Sequence, residues 1–437
     1  MINAFSTLLT WLLVFGLGTV VAHAAGEKNE WTRFRGPNGS GISGAKAIPI
    51  KWTAKDYNWM AKLPGSGSSS PVVWGDRIFL TCNNAQKTKR TILCMDTRNG
   101  KISWRRDYPY TSYRMHRDND FASATPAVDA DGVVVVWSMP KQLLMLALDL
   151  EGKELWRRDL GPYVGIHGSA SSPIIAEGLV ILANDQMHPQ VMKRHLPKGA
   201  SMVPGKSFLI AVNRMSGKTH WKIDRRTVLA GYSTPCVRQT GGDAFELVFS
   251  GTAHGMTGVD LATGKVNWEI KDILSSRVVG SPQLYQDLVF GSYGSGLSAQ
   301  RFVAVRAPRK GGVKEPKVAY NVYQSPPLVP SCLIKDDLLF LWTDSGIVSC
   351  LDAASGKRHW RERVGGNYYC SPVWIDGRLY CTSKTGEVVV VAANKTFKLL
   401  AKNPLGEKCF AIPAVANGVM YQRTRTKLFS LGGKNTK

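Results

Sequence analysis

The stretch LDAASGKRHW, residues 351–360, reads as the end of one strand, a tight turn and the start of another. The chain writes it five times. MDTRNGKISW (95–104), LDLEGKELW (148–156), VNRMSGKTHW (212–221) and VDLATGKVNW (259–268) keep the same frame, each with the Lys of Gly-Lys three residues before Trp. Self-similarity at a period of this size is the signature of a repeat architecture. The glycines of the frame, Gly100, Gly152, Gly217, Gly264 and Gly356, supply the positive φ that such a turn needs. The tryptophans, Trp104, Trp156, Trp221, Trp268 and Trp360, are suited to wedge against the next repeat.

The last gap, between Trp268 and Trp360, is about twice the others, so one repeat there has lost its Trp. A second marker counts the units independently: Ser70-Pro71, Thr125-Pro126, Ser172-Pro173, Thr234-Pro235, Ser281-Pro282, Ser331-Cys332, Ser371-Pro372 and Ile412-Pro413, each followed by a short apolar strand. That makes eight units of about 49 residues, the size of a four-stranded propeller blade. Asp131-Gly132, Asp376-Gly377 and Asn417-Gly418 mark the hairpins inside units. The last unit has room for only three strands. The missing one is Asn58-Trp59-Met60-Ala61-Lys62, which copies the start of a fourth strand at Asn267-Trp268 and lies before the first unit. The expected fold is all-β: an eight-bladed β-propeller of four-stranded antiparallel blades, with the last blade closed by an N-terminal strand that carries Trp59.

Residues 1–24 read as a signal peptide, apolar and ending Ala22-His23-Ala24, although its start lacks Lys or Arg. A lead-in follows (25–57), then the propeller (58–431) and a tail (432–437). The protein is thus expected to be exported, to the periplasm or cell envelope, and to touch a membrane only if the leader is retained. Its net charge of +24 attracts polyanions without specifying a nucleic acid. Arg105-Arg106, Arg157-Arg158, Arg225-Arg226 and Arg361 with Arg363 follow frame tryptophans and suggest a basic rim that guards strand edges. The eight Cys include no CxxC, CxxCH or adjacent pair, and buried thiols are at least as expected as bridges.

The frame L-D-x-x-[ST]-G-K-x-x-W resembles the pyrroloquinoline quinone (PQQ) repeat of the quinoprotein dehydrogenase-like propellers over roughly residues 58–431. The lead-in WTRFRGPNGSGIS (31–43) is similar to an N-terminal signature of exported proteins in that group. The resemblance implies two functions. Its dehydrogenases hold PQQ over calcium with acidic and amide side chains, use an Asp as base, and carry a disulfide between adjacent Cys, which this chain lacks. The propeller of the outer-membrane barrel-assembly machinery is a scaffold without a catalytic centre and is closer in size, although this chain has no lipobox.

Chemistry is sought on the face that carries the blade-joining loops. Segments 108–122, 160–170 and 185–206 bring His116, Asp118, Asp120, His167, Asp185, His188 and His195 to one sector, as ligand-face candidates. No HExxH, compact acidic calcium loop or G-x-S-x-G elbow is present. His220 and His359 sit at frame positions, and Asp96, Asp149, Asp260 and Asp352 recur at the turn, where Asp caps its own backbone; all six read as structural. The expectation is a non-catalytic binding or scaffold module, a monomer or part of an envelope complex, with a protein or anionic envelope polymer as partner and no cofactor. The alternative is a PQQ- and calcium-dependent alcohol or sugar dehydrogenase.

Overall fold

The computed structural model describes residues 30–113, 116, 118–139, 141–195, 203–295, 298–309 and 311–433. The leader with its cleavage site, and residues 434–437 of the tail, lie outside them. The described chain is an eight-bladed β-propeller. Seven blades take four consecutive antiparallel strands each, beginning at Val72, Ala127, Ile174, Cys236, Gln283, Leu333 and Val373. The eighth has Ala414–Ala416, Val419–Arg423 and Lys427–Gly432, and the N-terminal strand Tyr57–Lys62 completes it by pairing Trp59 with Ser430 and Ala61 with Leu428. The ring is therefore closed by the two ends of the chain. No helix of the described residues is long and apolar enough to cross a membrane.

Both sequence markers turn out to be joints between blades. Frame indoles reach across the seam to a carbonyl in the next blade's turn: Trp59 to Thr97, Trp104 to Leu150, Trp156 to Arg214, Trp221 to Leu261 and Trp360 to Asn394, all at 2.8–2.9 Å. The unit without Trp uses Tyr320, whose hydroxyl donates to Ala353 O at 2.8 Å. Trp268 is the exception and donates to Glu246 of its own blade. The frame glycine is needed twice over. A Cβ on Gly100 would lie 2.5 Å from the Trp59 ring, and one on Gly356 2.6 Å from Tyr320, besides the positive φ. The frame Asp residues cap as expected, for example Asp352 Oδ1 accepting from Ser355 N.

The Ser/Thr of the second marker forms a collar around the axis. The N–H of one blade donates to the hydroxyl of the next: Ser70 to Thr125, Thr125 to Ser172, Thr234 to Ser281, Ser281 to Ser331, Ser331 to Ser371 and Ile412 to Ser70, at 2.9–3.0 Å. Between joints, branched apolar side chains alternate between blade faces and pack sheet on sheet, which is why the core is split into clusters spanning adjacent blades.

The rim departs from the expected ring of free charge. Arg106 donates to Gly152 O at 2.7 Å and Arg158 to Gly217 O, both across a seam, and Arg225 is buried against Thr257 and Glu269. Alternation along the fourth strand turns one Arg of each adjacent pair toward the neighbouring blade, whereas Arg361 and Arg363, two apart, bond to Ser325 and Ser345.

The lead-in closes the channel at the face opposite the blade-joining loops. Trp31 pairs with Val73, Thr32 O accepts from Val128 N, Arg33 donates to Pro235 O, Asn38 and Val237 bond reciprocally, and Ile42 pairs with Trp374. One segment thus ties blades 1, 2, 4 and 7. Arg35, fully buried, donates to Gly39, Ser40, Ser331 and Cys332 carbonyls. All eight cysteines are free and buried.

Candidate functional site

With the lead-in sealing one end, the axis is a cup of about 490 Å³ that opens on the face of the blade-joining loops. Phe34 and the hydroxyl collar form its floor. Every one of the eight blade-joining loops lines it, through the residue two positions before the marker: Ser68, Ser123, Ala170, Tyr232, Val279, Val329, Tyr369 and Phe410. Side chains alternate along extended backbone, so if the marker hydroxyl faces the axis, the residue two before it does too. Small residues occupy the side of blades 8 to 3 and bulky ones most of the rest.

Of the seven candidates, three reach the cup. The 108–122 loop brings in His116 and Asp118, and the 160–170 loop brings in His167, whose ring lies 4.7 Å from that of His116. Asp118 Oδ2 accepts from Lys384 Nζ at 2.7 Å and from the Tyr369 hydroxyl at 3.1 Å. Burial opposes its charge, but Lys384 and Tyr369 outweigh this and hold the carboxyl below its ordinary range. Lys384 also stands 4.2 Å over the Tyr369 ring.

The other four are used elsewhere. Asp120 is buried behind the wall, accepting from Ser68 Oγ at 2.6 Å, Ala122 N at 2.8 Å and Arg425 at 3.2 Å. Asp185 lies in the seam of blades 3 and 4 against Gly231 and Gly251, where burial raises its pKa against the pull of Arg225. His188 caps the short helix Pro189–Lys193, and His195 is exposed just beyond it.

The groups that the sequence reading passed over define the cup's charge. Arg277, from the loop joining blades 4 and 5, points NH1 at His167 Nε2, 3.1 Å away. Its Nε is buried with no hydrogen-bond partner, and it pairs with no carboxylate among the described residues. An arginine cannot give up its donors, so Nε2 of His167 is the acceptor and the imidazole is neutral. Burial, then Arg277, His116 and His195, push His167 down to about 4. Tyr369, Phe410 and Tyr232 were legible in principle, from their spacing to the marker. Arg277 and Lys384 were not, because they stand outside that spacing.

His167 gives the fold a pH dependence. Between its ordinary 6.5 and about 4, the unfolded chain binds a proton that the folded protein refuses. Its contribution is therefore complete above about pH 6.5 and is lost as pH falls toward 4; His254, lowered by burial and Arg225, acts in the same direction. Thermal midpoints measured from pH 7.5 to 4.5 should fall less steeply in His167→Gln, and an unchanged slope would rule His167 out as the source.

The cup does not fit calcium. That ion takes roughly six to eight oxygen ligands, usually several of them carboxylates. Asp118 is neutralised by Lys384, Asp120 is enclosed with Arg425, and no cluster of three or more candidate ligand side chains occurs among the described residues.

Comparison with known proteins agrees with this architecture. A family profile described as outer membrane protein assembly factor BamB matches residues 89–362, 328–399 and 344–432. No curated protein matches in sequence. Among solved structures, BamB from Moraxella catarrhalis is similar with a TM-score of 0.58 at 13% identity, over 86% of this chain and 97% of that one. Quinohemoprotein alcohol dehydrogenase from Comamonas testosteroni gives 0.64 at 12%, over 94% and 81%. The computationally designed Ika8 protein gives 0.58 at 10%, over 86% and 99%. At such identities the structures establish the fold alone, whereas the profile spans well over half of the sequence: the chain belongs to the family described as outer membrane protein assembly factor BamB.

Proposed function

We propose that this is an exported binding propeller of the cell envelope, without catalysis of its own, whose cup receives a carboxylate-bearing segment of a protein partner. The observation that carries the reading is Arg277: a guanidinium at the wall of a cup sealed at one end, with a buried Nε unmatched and no acid of its own among the described residues. A carboxylate accepts two N–H bonds from one arginine, so an acidic side chain or chain end supplies what is missing. The carboxylates nearby, Asp118 and Asp120, are held as ion pairs, which suits positioning rather than proton transfer. Hydroxyls on the floor and Tyr369 and Phe410 on the wall complete a polar and aromatic receptor.

The test is titration calorimetry of the purified protein with a short glutamate-rich peptide, and separately with PQQ with and without calcium followed by alcohol-dependent dye reduction. Saturable peptide binding is expected, weakened about 10- to 100-fold in Arg277→Gln, the equivalent of one charge-assisted bidentate contact. Equal affinity in the variant would remove Arg277 from the reading. Calcium-dependent PQQ binding with turnover would replace it with the dehydrogenase.

A further inference from the structure

The eight seams are not tied alike. Seven carry a cross-seam indole or tyrosine bond, a collar hydroxyl, or both, as described above. Between blades 7 and 8 both devices are missing from the sequence itself. The collar position of blade 8 is Ile412, which has no hydroxyl for Ser371 N, and the outer strand of blade 7, Leu399–Pro404 (LLAKNP), has neither Trp nor Tyr. A side-chain bond from Thr382 to Gln422 at 3.2 Å crosses here, with the lead-in packed over it. The closing strand does not supply the tie, since its Trp59 reaches across the other side of blade 8 to Thr97 of blade 1.

Two cysteines meet at that place. Cys370 immediately precedes the marker of blade 7, and Cys409 lies on the approach to blade 8. Both are fully buried; the Cys370 thiol donates to Ala411 O at 3.3 Å, and Cys409 Sγ lies 3.3 Å from the same oxygen, with Arg423 O as its nearer acceptor at 3.0 Å. Two sulfurs on a single oxygen are within reach of each other by side-chain rotation. Each is also the chain neighbour of an aromatic residue on the cup wall, Tyr369 and Phe410, whose rings are 6.0 Å apart.

We infer that Cys370 and Cys409 form a disulfide across the seam of blades 7 and 8, which replaces the two missing ties and fixes the spacing of Tyr369 and Phe410. The oxidant is a protein disulfide of the exporting compartment. The thiolate of one cysteine attacks it and releases one donor thiol; the second cysteine then attacks the mixed disulfide and releases the other. The two cysteines lose two electrons and two protons, and the donor is left as a dithiol. In the folded protein the hydrogen bond with Cys409, and burial, hold Cys370 well above the ordinary thiol range, so the exchange belongs to the stage before blades 7 and 8 pack together. The inference rests on the proposed export of the chain and not on what binds the cup.

The test is a peptide map of the exported full chain, unfolded in iodoacetamide without reductant. A linked pair containing Cys370 and Cys409 is expected, with the other six cysteines alkylated. The wild type should melt about 5 °C above C370A/C409A, and refolding in reductant should erase the difference. Full alkylation of both residues, or a bridge from either one to the neighbouring Cys381, overturns the inference. The map needs no variant, so it decides even if C370A/C409A fails to fold.

Discussion

A chain that begins at Leu63 is expected to accumulate as aggregate, with no soluble monomer by gel filtration. It loses the strand Tyr57–Lys62, which leaves Lys427–Gly432 as an unpaired edge in the last blade. It also loses Trp31, Ile48 and Trp52, which are 1%, 3% and 5% exposed and belong to the core shared by blades 1, 7 and 8. Burial of one such side chain is worth roughly 2–3 kcal/mol, and the whole stability of a domain is about 5–15 kcal/mol. Soluble, cooperatively melting protein from this truncation would show that the ring closes without its N-terminal strand.

Arg35→Met is expected to lower unfolding free energy by about 3–5 kcal/mol, read from the denaturant midpoint at constant m-value. Its guanidinium has no carboxylate partner among the described residues; burial pulls its pKa down to about 10, and it is held by four backbone carbonyls, two of them in blade 6. Methionine matches the length but leaves those buried oxygens without donors. Arg35→Lys should recover little, because an ammonium cannot reproduce the planar fork that reaches the lead-in and blade 6 together. Since Phe34 is the adjacent residue on the cup floor, the loosened lead-in should also weaken ligand binding without touching Arg277. A midpoint unchanged within about 1 kcal/mol would mean that the lead-in rests on the ring without holding it.

The asymmetry between the two readings of the site has a physical origin. His116, Asp118 and His167 were legible as titratable residues in long loops, because a loop of that length on the blade-joining face crosses the cup's mouth. Asp120, Asp185, His188 and His195 stand on the same loops but are consumed by a wall contact, a seam, a helix cap and solvent. Loop membership does not say which way a side chain turns. Arg277 and Lys384 gave no signal, since one Arg or Lys in a chain with 56 of them looks like surface until its neighbours are known.

By itself the sequence determined the architecture: the number of blades, the strands within them, the closure by Trp59 and its neighbours, and the outer joints. These follow from local rules, a turn that needs glycine and an indole that needs a neighbour, repeated often enough to be counted. Only the tertiary structure decided that the lead-in seals the axis, that the marker hydroxyls form a collar, and that Arg277 faces the cup with no carboxylate partner among the described residues. Each of those facts depends on residues far apart in the chain, Arg35 with Cys332 or Arg277 with His167, meeting where the ring brings its blades to the axis. A local pattern fixes a residue's place in its blade, whereas its partner across the axis is set by closure of the whole ring.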